Sequence, residues 1–229
     1  MMFWQEERDE DKPYQVPDDI IDINYRITAR TLPLDHAHAL SSALLEALPW
    51  LEEEEAAGIH LIHGAESGNG WYRPEDVSNE LLHLSRRARM SLRIPKARQA
   101  DAEALVGQIL DIDGYSLEVG ESSLRMLSPL PTLFSRHVKT DPGLSEAEFL
   151  EWAAARIKSL GIPVRKLMAG KSHAFQTPDG ILHTRSLMIA DLEPESAVML
   201  QQKGIGEGRK IGCGLFIPHK GIKAVKDTN

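Results

Sequence analysis

The stretch Gly204-Ile205-Gly206-Glu207-Gly208-Arg209-Lys210-Ile211-Gly212-Cys213-Gly214-Leu215-Phe216-Ile217-Pro218-His219-Lys220 places two Gly-x-Gly pairs around five residues that include adjacent cations. Glycines at this density admit positive φ and let backbone approach a ligand with no Cβ in the way. N–H groups freed in such a turn form a concavity for anions, and Arg209 and Lys210 add fixed positive charge beside it. On this reading Gly204, Gly206, Gly212 and Gly214, with Arg209 and Lys210, take phosphate, and polyphosphate backbone in particular. The plainer reading is a helix stop followed by a tight turn. The flanks decide the fold. Pro194 to Lys203 reads as a short helix with proline in its first turn, and Gly204 sits at the C′ position. Ile211 to Ile217 reads as a strand. Helix, then glycines, then strand is the reverse of a dinucleotide-binding fingerprint, and no Gly-Lys-Ser/Thr ending supports a Walker-type loop.

Working backward from this stretch, Leu133 to Thr140 reads as a strand, and Ser145-Glu-Ala-Glu148 is a capping box. Phe149, Trp152, Ala153, Ile157 and Leu160 then share one helical face. Strands near Val164 to Met168 and Leu182 to Ala190 flank a hairpin tip at Pro178-Asp179-Gly180. With the helix from Pro194 and the strand from Ile211, the order is β-α-β-β-α-β. The first half repeats it. Ile20 to Arg30 is a strand, Asp35 is placed as the N-cap of a helix that ends near Pro49, and Gly58 to His63 is a second strand. A polar loop over Ala65 to Asn79 precedes a strand over Leu81 to Ile94. A short helix from Pro95 ends at Gly107, and strands cover Ile109 to Ile112 and Tyr115 to Val119. The fold class is therefore α+β, two tandem ferredoxin-like (RRM-like) domains. An acidic segment spans 1–19, the first domain 20–125, and the second domain, with the glycine-rich loop, 126–229. The duplication rests on element order, not on repeated sequence, and a single larger α+β domain is the alternative.

The 229 residues carry a net charge of −8, with one cysteine and no apolar run of membrane-spanning length. The start is acidic and lacks the basic-then-apolar order of a signal peptide, so a cytoplasmic location is expected. The acid is uneven. Residues 1–60 hold four Lys/Arg against fourteen Asp/Glu, whereas 61–229 hold 22 against 20. Arg86, Arg87, Arg89, Arg93, Lys96 and Arg98 put six cations in thirteen residues with no acid. Nucleic-acid affinity follows such local patches and not the total charge.

The glycine spacing near the C-terminus resembles the glycine-rich loop of CRISPR-associated repeat-processing endoribonucleases. Arg30-Thr-Leu-Pro-Leu-Asp35-His36-Ala-His38-Ala-Leu40, Gly58-Ile-His60, Arg185-Ser-Leu-Met-Ile-Ala-Asp191-Leu and Lys210-Ile-Gly-Cys-Gly-Leu-Phe-Ile-Pro-His219-Lys220 are similar to the MYXAN-subtype branch of that family. The resemblance spans roughly residues 20 to 222. It implies an endoribonuclease that cleaves precursor CRISPR RNA within each repeat by 2′-OH attack, giving a 2′,3′-cyclic phosphate and a 5′-OH. The implied partners are CRISPR repeat RNA, precursor and mature, with other effector-complex subunits as a further class. A non-catalytic RNA-binding subunit of such a complex is the alternative.

RNA supplies its own nucleophile, so cleavage needs a proton acceptor, a proton donor and cations for the phosphorane charge. Histidine suits the proton transfers. The resemblance puts the catalytic histidine at the first strand-to-helix connection or in that helix, which favours His36, with His38 as its close rival. Tyr25, Arg26, Lys210 and Lys220 are candidates for transition-state stabilisation, and His219 for a second acid or base. Arg86, Arg87, Arg89 and Arg93 are assigned to the RNA backbone together with the loop cations and Lys220. No Cys-x-x-Cys, His-Glu-x-x-His or calcium-type loop is present, so no metal and no cofactor are expected.

Overall fold

A computed structural model describes residues 14–63 and 80–220. The expected loop over Ala65 to Asn79 and most of the acidic segment lie outside them. The first half comprises β1 (Ile20–Thr28), β2 (Thr31–Pro33), α1 (Ala37–Ala47), α2 (Trp50–Glu53) and β3 (Gly58–His60). It continues through β4 (Leu81–His83), β5 (Arg89–Pro95), α3 (Gln99–Glu103), β6 (Ile109–Ile112) and β7 (Tyr115–Met126). Its main sheet has the order β3-β5-β1-β7-β6, antiparallel throughout. The second half comprises β8 (Leu133–Lys139), α4 (Glu146–Ser159), β9 (Lys166–Thr177), β10 (Gly180–Ala190), α5 (Pro194–Lys203) and β11 (Ile217–Pro218). Its sheet has the order β11-β8-β10-β9. In each half the first and third strands of the β-α-β-β-α-β unit are central, which is the ferredoxin-like arrangement.

Period-two alternation builds the first sheet. Ile21, Ile23, Tyr25 and Ile27 of β1, with Met90, Leu92 and Ile94 of β5, are buried against Ala37, Leu40 and Leu44 of α1. Each fully buried Leu or Ile is worth about 1.5–3 kcal/mol relative to exposure. A second core gathers Phe149, Ala153 and Ile157 of α4 with Leu187 and Ile189 of β10. The Ser145–Glu148 capping box is present in full.

Several elements depart from the sequence expectation. The strand expected over Leu81 to Ile94 is two strands: β4 pairs only with β2 in a separate ribbon, and β5 joins the main sheet. Tyr115 to Val119 extends to Met126 because β7 follows the full length of β1. The strand expected from Ile211 is only Ile217–Pro218, since Arg209–Ile211 closes a 3-10 turn between two left-handed glycines. Asp35 caps nothing. His36 holds the N-cap position, and Asp35 Oδ2 accepts the Gln176 N–H from the β9–β10 hairpin at 2.7 Å.

The polar face of the first sheet turns toward the second half. Asp22, Asn24 and Arg26 of β1 stand opposite Arg93, Ser91 and Arg89 of β5, forming a ladder on the face away from the helices. At its inner end Arg93 is fully buried. Its guanidinium donates to Asp22 Oδ1 (2.8 Å) and Oδ2 (3.0 Å), and to the Gln201 and Phe216 carbonyls (both 2.8 Å) of the second half.

Candidate functional site

The glycine-rich loop is an interdomain fastener. Gly204, Gly206, Gly208, Gly212 and Gly214 all have positive φ. A Cβ on Gly214 would fall on the Ile205 carbonyl oxygen, and one on Gly212 would lie 2.6 Å from Leu61 Cγ. The loop's neck is therefore closed backbone against backbone, and its far side presses on the first domain just after β3. The N–H groups of Gly204, Ile205, Ile211, Gly212, Cys213 and Gly214 donate to protein carbonyls, so they form no open anion cradle.

The loop cations behave likewise. Arg209 donates to the carbonyls of Lys203 (2.7 Å), Ala56 (2.9 Å) and Ala57 (3.4 Å). Lys210 Nζ donates to the Ala57 carbonyl at 2.8 Å and to that of Glu54. The first-domain carbonyls lie in the connection from α2 to β3, so the two cations hold that connection against the loop. Burial lowers both, to about 10 for Arg209 and about 8 for Lys210. In this geometry Arg209 and Lys210 direct these donors at carbonyls of the first domain and of α5, not at an open phosphate site. Arg93 likewise directs its donors at Asp22 and two carbonyls.

Tyr25 is also structural: it is fully buried, its hydroxyl donates to the Ala102 carbonyl at 2.8 Å, and burial raises its pKa. Arg26 is exposed beside Glu121 at 3.7 Å. His219 lies just after β11, with its ring tilted over Phe134 at a centroid distance of 6.0 Å. Arg86, Arg87, Arg89 and Lys220 are exposed. Arg89 Nη1 donates to the Ala88 carbonyl at 2.8 Å.

The two histidines at the start of α1 are unlike. His36 is 4% exposed; its Nδ1 lies 3.0 Å from the Pro33 carbonyl oxygen, and its Nε2 lies 3.1 Å from the Ile62 nitrogen. A carbonyl only accepts and a backbone N–H only donates, so Nδ1 carries the proton and Nε2 the lone pair. Both are committed. Burial lowers the His36 pKa, against the opposing effect of the Pro33 carbonyl. In this geometry the buried, doubly bonded imidazole of His36 has no free lone pair for a 2′-OH. His38, in the first turn of α1, is half-buried.

Between the sheets lies a cleft of about 200 Å³. Its walls bring Arg89 and Arg125 of the first sheet together with Arg136 and His137 of β8, and with His60 and His63 at the end of β3. Among the described residues Asp22 is its one lining acid. Burial would raise that carboxyl, but the Arg93 guanidinium holds it well below the usual carboxylate range. The cleft is thus cationic despite the acidic chain. His137 is buried, its Nδ1 3.2 Å from Thr184 Oγ1 and its ring edge-on to His173 at 5.1 Å. Sequence reasoning did not single out Arg125, Arg136 or His137. The signal present was alternation: Asp22, Asn24 and Arg26 are all polar on the strand face opposite the core. Among the described residues no group of His, Cys, Asp or Glu is placed to hold a metal, and no helix is long and apolar enough to cross a membrane.

A family model described as Cas6 Crispr matches residues 21–221. A CRISPR-associated endonuclease Cas6 of Myxococcus xanthus (strain DK1622) is 32% identical over 198 residues, covering 86% of this chain and 81% of that protein. A solved CRISPR-associated protein Cas6 superposes with a TM-score of 0.60 at 10% identity, over 88% of this chain and all of that one. A Cas6-related protein from Pyrococcus furiosus gives 0.58 at 13% identity, over 91% of this chain and all of that one. These two structures share the fold of tandem ferredoxin-like domains.

Proposed function

Because the chain belongs to the Cas6 family, we propose that it is an endoribonuclease that cuts precursor CRISPR RNA within its repeats. The relative at 32% identity is named an endonuclease, and that likeness covers both domains. The structural observation that carries the reading is the cleft between the sheets, which gathers Arg89, Arg125 and Arg136 with His60, His63 and His137. The half-buried His38 lies in the first turn of α1, two residues after His36, whose Nε2 accepts from the Ile62 N–H between cleft-lining Leu61 and His63.

In this mechanism the RNA 2′-OH beside the scissile phosphate is the nucleophile. His38 takes its proton as the O2′–P bond forms, the P–O5′ bond breaks, and the departing O5′ takes a proton from solvent water. The products are a 2′,3′-cyclic phosphate and a 5′-OH, and no metal hydroxide is required. Exposed Arg86, Arg87 and Arg89, with Arg125 and Arg136 in the cleft, supply positive charge to the RNA backbone and to the phosphorane. Lys220 extends that surface at the end of β11. The bound partner is repeat RNA, before and after cleavage.

The test uses a labelled cognate repeat and EDTA-treated protein. Discrete cleavage ending in a cyclic phosphate supports the enzyme. Tight binding with intact RNA assigns the protein as a non-catalytic subunit of an effector complex. A repeat carrying a 2′-deoxy sugar 5′ of the scissile phosphate should bind and resist cutting; if it is cut normally, RNA is not the nucleophile.

A further inference from the structure

We infer that His36 is a positioning residue for RNA cleavage, tying the start of α1, which carries His38, to the cleft-lining segment after β3 so that the two keep a fixed separation. The inference rests on the endoribonuclease reading with His38 as the base.

Three contacts converge where α1 begins. His36 Nδ1 donates to Pro33 at the end of β2, and His36 Nε2 accepts from Ile62. Asp35 Oδ2 accepts the Gln176 N–H from the second domain. The helix has no side-chain cap, so these contacts replace the usual cap in fixing where its first turn sits. His36 reaches furthest. It bonds across 26 residues to a backbone N–H whose own neighbours, Leu61 and His63, line the cleft. His38 is two residues beyond it on one side of the bond, and His63 is one residue beyond Ile62 on the other. Freed from the bond, the 61–63 segment and the α1 start have separate anchors, the loop contact Gly212–Leu61 and the Gln176–Asp35 bond. A shift near 1 Å at a reacting group costs on the order of 10²-fold in rate.

The chemistry of the two bonds separates positioning from catalysis. Glutamine can offer an oxygen near the place of Nε2 and accept from Ile62, but it cannot act as a base. Asparagine can donate to Pro33 from near the place of Nδ1 but cannot reach Ile62. Single-turnover cleavage of a cognate repeat should therefore fall on the order of 10- to 100-fold in His36→Asn and His36→Leu. It should return to within about fivefold of wild type in His36→Gln, with RNA affinity little changed throughout. Amide exchange at Ile62 should be protected in wild type and His36→Gln and accelerated in His36→Asn. Equal loss in His36→Gln and His36→Leu, with Ile62 still protected in the glutamine variant, would overturn the inference, as the imidazole itself would then be acting. So would a wild-type rate in His36→Asn with Ile62 unprotected. Should His36→Leu fail to fold, the glutamine and asparagine pair decides alone. A wild-type rate in His38→Ala would instead sink the underlying reading, leaving the bond to Ile62 to be judged by exchange.

Discussion

Arg93 of β5 holds Asp22 of β1 through two hydrogen bonds, and the same guanidinium reaches two carbonyls of the other domain. Strand pairing fixes the first relationship, because Asp22 and Arg93 are directly opposed in the β1–β5 register. The second domain then closes over them. Arg93 is fully buried, so its charge is tolerated because these partners are present.

Arg93→Ala should therefore destabilise the fold by about 3–5 kcal/mol, the cost of leaving a buried carboxylate unpaired. Asp22→Asn, Arg93→Met together should recover part of that loss. Urea denaturation followed by fluorescence measures both. A single mutant within 1 kcal/mol of wild type, on the scale of exposed ion pairs, would mean the domains are not joined through this residue.

The glycine-rich loop gives a paired test of backbone conformation. Gly214→Ala meets both a φ of 68° and the Ile205 carbonyl oxygen, whereas Gly107→Ala meets a φ of 86° with nothing within 4 Å. The first should cost on the order of 3 kcal/mol or more, the second about 1–2 kcal/mol. Thermal unfolding of the two variants ranks them directly. Equal losses would show that closure of the loop neck contributes nothing beyond the left-handed conformation.

Much of the fold was legible in sequence because local chemistry carried it. The β-branched run from Ile20 set β1, Ser145 with Glu148 set the start of α4, and Pro178-Asp179-Gly180 set the hairpin between β9 and β10. Gly204 marked the end of α5, and the structure gives it a φ of 65° there. The site was less legible because a cation reads the same whether it meets a phosphate or a carbonyl. Arg209 and Lys210 sit in a loop whose shape suggested an anion cradle, yet their partners are carbonyls about 150 residues earlier in the chain. Arg93 carried a usable hint: its neighbours Leu92 and Ile94 are core residues, so it faces the sheet's other side, which a second sheet must cover. His36 and His38 differ by one long-range bond to Ile62, which no local pattern announces.

Acid should weaken the fold in two windows. Burial lowers the His36 and His60 pKa values, so the folded state keeps both neutral where the unfolded chain takes up protons. Stability therefore declines as pH falls below about 6.5, the unfolded histidine value. Asp22, whose folded pKa is depressed, contributes stability that is present above about 3.9 and lost below it. Chemical denaturation from pH 7 to 5 should show the histidine slope, and His36→Gln should reduce it. An unchanged slope in that variant would mean the buried imidazole is protonated in the folded state as readily as in water.

The last prediction separates two sets of cations that sequence had grouped together. Arg86, Arg87 and Arg89 are exposed, whereas Arg209 and Lys210 are held by carbonyls across the domain interface. Each phosphate contact on single-stranded nucleic acid contributes about 0.7 to the slope of log affinity against log salt. Replacing the three exposed arginines with alanine should lower that slope by about 2 if each one meets a phosphate. Replacing Arg209 and Lys210 should leave the slope near wild type and instead lower the unfolding temperature, since it strips the donors from the carbonyls of Glu54, Ala56 and Ala57. Filter binding of repeat RNA across a salt series, beside a melting curve for each variant, reads both quantities. A reduced slope with unchanged melting in the Arg209, Lys210 pair would return the glycine-rich loop to the RNA surface. An unchanged slope in the arginine triple, joined to a fall in melting temperature, would make the β4–β5 turn a structural element and leave Arg125 and Arg136 to carry the phosphate contacts.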